Sequence, residues 1–366
     1  MRAAVLHEPN ARFAIEEVDL APPGAGEVEV RLHASGVCHS DWNTLTGDTP
    51  SPLPAVLGHE GAGVVERVGE GVTTVAPGDH VVLSWLPACG RCLHCAAGRP
   101  TLCEVAAPAL LAGTLLDGSI RLSLDGRPVH HYSFLSTFAE RSVVPEASCV
   151  RIRPDAPMPV AALVGCAVMT GIGAVVNRAR VAPGGSVAIF GAGGVGLSAV
   201  MGAALAGAGL VAVIDPVADR RALALELGAT HAIDPADGDP SAAVRELTGG
   251  RGADYAFEAS GSRGLAAVAY AAARRGGTVV CIGIPPAGAT VELAGADFVR
   301  DEKIVTGSLY GSCRPHTDMP MVIDLHMSGR LPLDRLLGGT YRLEEIDRAF
   351  ADMLAGVGAR TLIDLA

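Results

Sequence analysis

From Glu27 the chain alternates strictly. In EVEVRL, Val28, Val30 and Leu32 are separated by charged residues, a period of two that predicts a strand with one buried face. GAGVVERVGEGV and PGDHVVLSW repeat short valine-rich runs broken by Gly and Pro-Gly turns. The stretch from 1 to about 155 therefore reads as a small glycine-rich β domain or barrel. From about 165 the pattern changes. SVAIF, LVAVID, ADYAFEA, GGTVVCIGI and KIVTGSLY are short apolar strands, and the runs between them have helical character, such as ADRRALALELGA. Apolar strands alternating with helices predict βαβ units on a parallel sheet. Near the end, Ile346, Phe350, Met353, Leu354 and Val357 share one face at helical spacing.

Composition narrows the class. A chain of 366 residues with 49% hydrophobic content is longer than one core usually organises, so two domains are expected. A net charge of −11 excludes the basic footprint of a nucleic-acid binder. No run of apolar residues of spanning length is free of charge or repeated glycine, so no membrane segment is expected. MRAAVLHEPN lacks the apolar core of a signal peptide. A cytoplasmic protein follows, and there the nine cysteines favour metal over disulfides.

Two motifs carry chemistry. In GAGGVG, Gly191, Gly193 and Gly196 fit the G-x-G-x-x-G pattern directly after SVAIF, with Gly194 and Val195 opening a helix. Bare backbone there lets a pyrophosphate approach the helix N-terminus. Asp215 ends the following strand, where a carboxylate binds both ribose hydroxyls and repels a 2′-phosphate, so NAD is favoured over NADP. The second motif is Cys89-x2-Cys92-x2-Cys95-x7-Cys103. Four thiolates in a tetrahedron suit a structural zinc with no open position. An iron–sulfur cluster is the rival, but its usual run has a shorter last gap and a following proline, whereas Glu104 follows Cys103 here.

GVCHSD (36–41), GHEGAG, STFAE, VGCAVMTGIGA, the four-thiol lobe, GAGGVG and VGARTLI together resemble the zinc-containing medium-chain alcohol dehydrogenases. Within that family the segment GTLLDGSIRLSLDGRPVHH (113–131) resembles the class III, thiol-dependent formaldehyde dehydrogenase branch. The resemblance implies an α/β fold. A GroES-like β-rich catalytic domain would cover 1–160 and 310–366 with a zinc lobe at 87–103, and a Rossmann domain would cover 161–309. It implies two zinc ions per chain and NAD. Cys38, His59 and Cys166 would be the ligands of the catalytic zinc, with Glu60 beside it and Asp41 orienting His59. Two thiolates and one imidazole leave a fourth position open, as catalytic zinc requires. Ser40 would handle the proton, Thr170 would pack on the nicotinamide, His39 and Arg360 would reach the pyrophosphate, and Arg220 would lie near the adenosine.

Many relatives carry a histidine where Asn43 stands. An amide cannot take up a proton, so the relay is expected to leave through ordered water or His39. Trp85 falls on the pocket wall and would favour slim or planar primary alcohols. The arginine that glutathione-dependent relatives place after the last lobe cysteine is missing, so a glutathione adduct has little to hold it. Oxidation of formaldehyde carried on another thiol such as mycothiol, a nicotinoprotein with permanently bound NAD, and a non-catalytic zinc or nucleotide binder are the alternatives. A homodimer or homotetramer, paired near 303–311, is implied by the family.

Overall fold

A computed structural model describes residues 1–286 and 288–366. Among these, the chain forms two compact units, one from Met1–Cys166 with Arg314–Ala366, the other from Ala167–Cys313.

The first unit is built on strands, as the valine-rich patterns require. Its central strand, Glu27–Val37, pairs antiparallel with Glu60–Val68, Arg141–Pro145 and the C-terminal strand Arg360–Asp364. The one-faced burial expected of EVEVRL is not what forms. Glu27 and Glu29 are buried too, and only Arg31 on their face stays exposed. Their carboxylates are paired rather than bare. Arg121 Nε donates to Glu27 at 2.8 Å, and Arg67 Nε donates to Glu29 at 2.7 Å.

This pairing positions chemistry. Gly36 lies opposite Glu60 in the register, and a Cβ at 36 would overlap the Glu60 carboxylate. The C-terminal helix Ile346–Leu354 buries Ile346, Ala349, Phe350 and Met353 against the first unit's core. Leu354 and Val357, expected on that face, are exposed. The helix ends at Leu354, so its period does not reach 357.

The second unit carries a parallel sheet of six strands among the described residues. In spatial order these are His231–Ile233, Leu210–Ile214, Ser186–Phe190, Ala253–Glu258, Ala273–Cys281 and Ile304–Gly307. Numbered along the chain this is 3-2-1-4-5-6, the doubly wound Rossmann order. The crevice outside the first strand's carboxyl end is where such sheets hold a dinucleotide.

One helix, Met158–Ala179, does have the length and apolar composition of a membrane span, glycines included. Most of it is buried inside the protein, as in a core helix. Two of its stretches, Val164–Val168 and Ala174–Ala179, are π-helical.

Candidate active site

The run Cys38–Asp41 folds as a helix start. Cys38 is the N-cap of the helix His39–Leu45, in extended backbone. Asp41, three residues on, reaches back and accepts the Cys38 N–H at 3.1 Å. Its other oxygen accepts the Gly58 N–H at 3.2 Å and lies 2.9 Å from His59 Nδ1. A carboxylate can only accept, so Nδ1 carries a hydrogen and Nε2 is the nitrogen left to bind a metal. Gly58 takes φ +88°, and a Cβ there would press into Thr137 and Phe138. Only glycine gives the bend that delivers His59.

Cys166 arrives from the π-helical turn Val164–Val168. A π turn inserts one residue into the helix and re-aims the side chains on it. Each of Cys38, His59, Glu60 and Cys166 offers one donor atom, and all four atoms lie within 4.8 Å of one another. His59 and Glu60 are buried.

The electrostatics of this cluster call for a cation. A hydrogen bond from Cys166 holds the Cys38 thiol well below its ordinary range, with His59 and Arg360 adding to the effect. Donating that bond, together with burial, holds Cys166 well above. Burial works against a charge on His59, but Asp41 and Cys38 outweigh it and push the imidazole well up. Burial pushes Glu60 up to about 7, even with Arg360 beside it. Arg360 is ion-paired to Glu60 Oε1, while Glu60 Oε2 is buried and has no hydrogen-bond partner. Two sulfurs, an imidazole nitrogen and a carboxylate that crowd for so few protons are the donor set of a zinc ion. The residues fit the metal.

The four-cysteine lobe fits a second zinc. The sulfurs of Cys89, Cys92, Cys95 and Cys103 also lie within 4.8 Å of one another. Backbone N–H groups point at them, Cys92 N–H to Cys89 Sγ at 3.3 Å and Cys89 N–H to Cys103 Sγ at 3.4 Å. The Cys95 and Glu104 amides hold Cys92 down to about 6, while burial and neighbouring thiols push Cys95 up to about 12. His94 faces Glu104 at 3.8 Å instead of joining the cluster.

In the second unit the glycine loop shows why each glycine is there. Gly191 takes φ +101°. A Cβ on Gly196 would overlap the Gly191 carbonyl oxygen, and Gly193 faces open space. That is a cradle with room for a ligand at its backbone. Gly194 and Val195 open the helix Gly194–Leu205. The helix Met169–Gly173, which carries Thr170, packs so closely here that a Cβ on Gly171 would overlap the Val195 carbonyl. Asp215 is buried beside the loop and accepts N–H bonds from Ala192 at 2.7 Å and Val217 at 2.8 Å. Arg221 Nη1 donates to the Asp215 carbonyl at 2.7 Å. Arg220 leaves a buried Nε without a hydrogen-bond partner.

Of the remaining expectations, His39 is exposed and Asn43 is half-buried. Arg360, expected at the pyrophosphate, spends its guanidinium on Glu60. Trp85 stands edge-on to His59 with centroids 6.3 Å apart. Sequence reasoning missed Tyr132, whose ring also lies edge-on to His59, with centroids 5.8 Å apart. It also missed Gly36, Thr44 and Arg221. Tyr132 and Gly36 act on partners that the fold brings from far along the chain, Ser40 and Glu60, whereas Thr44 and Arg221 bond to carbonyls four and six residues earlier.

A parallel doubly wound sheet with a glycine loop, in a chain with two zinc-type donor sets, defines a zinc-containing, NAD-dependent oxidoreductase. Family models agree over both units. "Alcohol dehydrogenase GroES-like domain" matches residues 24–154, and "Zinc-binding dehydrogenase" matches 194–328. The chain is 44% identical over 365 residues to a putative alcohol dehydrogenase D of Mycobacterium tuberculosis, covering 99% of this chain and 98% of that one. It is 42% identical to an NDMA-dependent alcohol dehydrogenase of Amycolatopsis methanolica, with the same coverage. It is 41% identical to an S-(hydroxymethyl)glutathione dehydrogenase of Synechocystis sp., covering 99% of each. The crystal structure of benzyl alcohol dehydrogenase from Acinetobacter calcoaceticus superposes with a TM-score of 0.95 at 34% identity, over 100% of this chain and 99% of that one. The chain belongs to the zinc-binding medium-chain alcohol dehydrogenase family.

Proposed function

We propose that the first unit is catalytic and the second binds NAD, and that the enzyme interconverts slim or planar primary alcohols and their aldehydes. Ser40 handles the proton. One observation carries this reading: Ser40 Oγ lies 3.8 Å from Cys38 Sγ, so a hydroxyl stands beside the open donor cluster.

Cys38, His59 and Cys166 would hold the reactive-site zinc, with Glu60 a further donor in reach, and the four-cysteine lobe would hold a structural one. Bound zinc supplies Lewis acidity to the substrate oxygen. Alcohol oxidation by NAD gives up a proton as well as a hydride, and the proton is where this chain's own groups act. Ser40 Oγ accepts it and passes on its own. Asn43 cannot take it further, so the exposed His39, or water, receives it. Asp41 keeps His59 in one tautomer and orientation. Trp85 and Tyr132 flank His59 edge-on and narrow the approach. The benzyl alcohol relative, at 34% identity, supports a planar substrate. Gly191, Gly193, Gly194, Val195 and Gly196 receive the pyrophosphate, and Asp215 the ribose. Arg220 and Thr170 flank the dinucleotide. Arg360 fits better as the counter-ion of Glu60 than as a pyrophosphate ligand.

A second reading, NAD that stays bound through turnover, is favoured by the NDMA-dependent relative. A glutathione adduct is disfavoured, since Glu104, Val105, Ala106 and Ala107 follow Cys103 where a cation is needed.

The edge strand Ile304–Gly307 lies near exposed Ile284, Val291, Phe298 and Val299 in the chain. Unpaired strand edges and apolar surface favour pairing of two copies there. The free thiols fit a reducing cytoplasm.

The test is Ser40→Ala. It should lower kcat by roughly 10²–10⁴-fold while zinc stays at two per chain. An undiminished kcat would remove Ser40 from the reaction.

A further inference from the structure

Tyr132 heads a tight turn in which three non-glycine residues, Ser133, Phe134 and Ser136, take φ of +51°, +64° and +48°. That backbone is disfavoured, and such strain persists where the surroundings over-determine it, often at functional sites. The turn is closed by N–H bonds from Leu135 and Ser136 to the Tyr132 carbonyl, at 2.9 and 3.1 Å. The Tyr132 N–H in turn donates to Ser136 Oγ at 3.1 Å.

Held this way, the phenol reaches the start of the helix His39–Leu45. Its O–H donates to the Ser40 carbonyl at 3.1 Å. Thr44 Oγ1 lies 3.3 Å from both the phenol oxygen and the Ser40 carbonyl. The ring stands at 70° to the His59 imidazole. One side chain thus touches the backbone of the proton-handling residue and the ring of a zinc donor. Asp41 clamps the same helical turn from its other end, through the Cys38 N–H and His59 Nδ1.

We propose that Tyr132 is a positioning residue. Its hydroxyl fixes the Ser40 carbonyl and so the direction of the Ser40 hydroxyl relative to Cys38. Its ring limits the tilt of His59. The phenol does not carry the proton itself. Its hydrogen is committed to the Ser40 backbone carbonyl. The proposal rests on the role given to Ser40.

The experiment is a double-mutant cycle on the zinc-loaded enzyme, with hydrogen–deuterium exchange over residues 38–45 as a readout separate from activity. Tyr132→Phe keeps the ring and removes the oxygen. It should lower kcat roughly three- to tenfold, with KM for the alcohol changed by less than about twofold. It should also speed exchange in the 38–45 segment. In a Ser40→Ala background the same substitution should cost no further kcat, because Tyr132 acts through Ser40. A tyrosine with a merely structural role would give additive losses or none, and either result overturns the proposal. Unchanged exchange overturns it as well. If Ser40→Ala alone keeps full kcat, the role of Ser40 fails, and the exchange arm still decides whether Tyr132 holds the turn. Should Tyr132→Phe not fold, Thr44→Val removes the hydroxyl bridging the phenol and the carbonyl. It must then shift kcat and exchange in the same direction, or the proposal falls.

Discussion

Asp41 Oδ1 sits 2.9 Å from His59 Nδ1, and both side chains are buried. The contact leaves Nε2 as the imidazole nitrogen to bind a metal. Replacing the carboxylate with an amide keeps the shape but allows the wrong tautomer. Asp41→Asn should weaken zinc binding at this centre by roughly 10–100-fold. Chelator competition with metal analysis should show one zinc lost readily while the four-thiolate zinc stays.

Gly36 is required by its neighbour across the sheet. A Cβ there overlaps the Glu60 carboxylate, which is itself locked to Arg360. Gly36→Ala should cost about 1–3 kcal/mol, the usual range for overpacking. The check is the urea midpoint of the variant. A midpoint equal to the parent's would mean that Glu60 moves freely, and the buried ion pair would then not be rigid.

His131, which is a donor in neither metal cluster, predicts a pH dependence of stability. It is buried, accepts the Arg121 N–H on Nε2 at 3.1 Å, and is held down to about 3, by burial first and then by the charge of Arg121. Its folded pKa lies below the unfolded one, about 6.5. The unfolded chain therefore binds the extra proton between these values, and stability rises with pH there. The contribution is complete above about 6.5 and is lost as pH falls toward 3, at up to about 1.4 kcal/mol per pH unit. His131→Gln retains an acceptor and does not titrate. Urea unfolding from pH 4 to 8 should show a shallower acid limb in the variant, and parallel curves would refute the assignment.

Lys303 is the only lysine in the chain, and its side chain is 7% exposed. The ammonium donates to the Tyr270 carbonyl at 2.9 Å, pairs with Asp301 at 3.5 Å and sits 4.4 Å from the centre of the Tyr270 ring. Acylation by an amine-directed reagent should be at least roughly tenfold slower in the native enzyme than in urea. Peptide mass spectrometry at Lys303 then reports opening of the second unit, and equal rates would show that the shelter is absent.

The parts whose chemistry is local could be read from the amino-acid order. Cys89 to Cys103 span few enough residues that one loop brings four sulfurs together. Gly191 to Gly196 follow a strand and open a helix, so the dinucleotide cradle forms from contiguous backbone. The period of two and the later alternation of strands with helices sufficed for a β-rich unit and a parallel sheet. Resemblance to a known family brought Cys38, His59 and Cys166 together on paper, though nothing in their spacing does so.

The rest came from packing between distant segments. It buried Glu27 and Glu29 on a strand whose alternation promised an exposed face, because Arg67 and Arg121 arrive from elsewhere to pair them. It turned Arg360 toward Glu60, 300 residues earlier, and set Tyr132 against Ser40, 92 residues earlier. Periodicity and motif spacing report which face a residue presents to its own segment. Which side chain meets that face depends on how distant segments pack, and for Glu60 and Tyr132 that packing is what gives each residue its task.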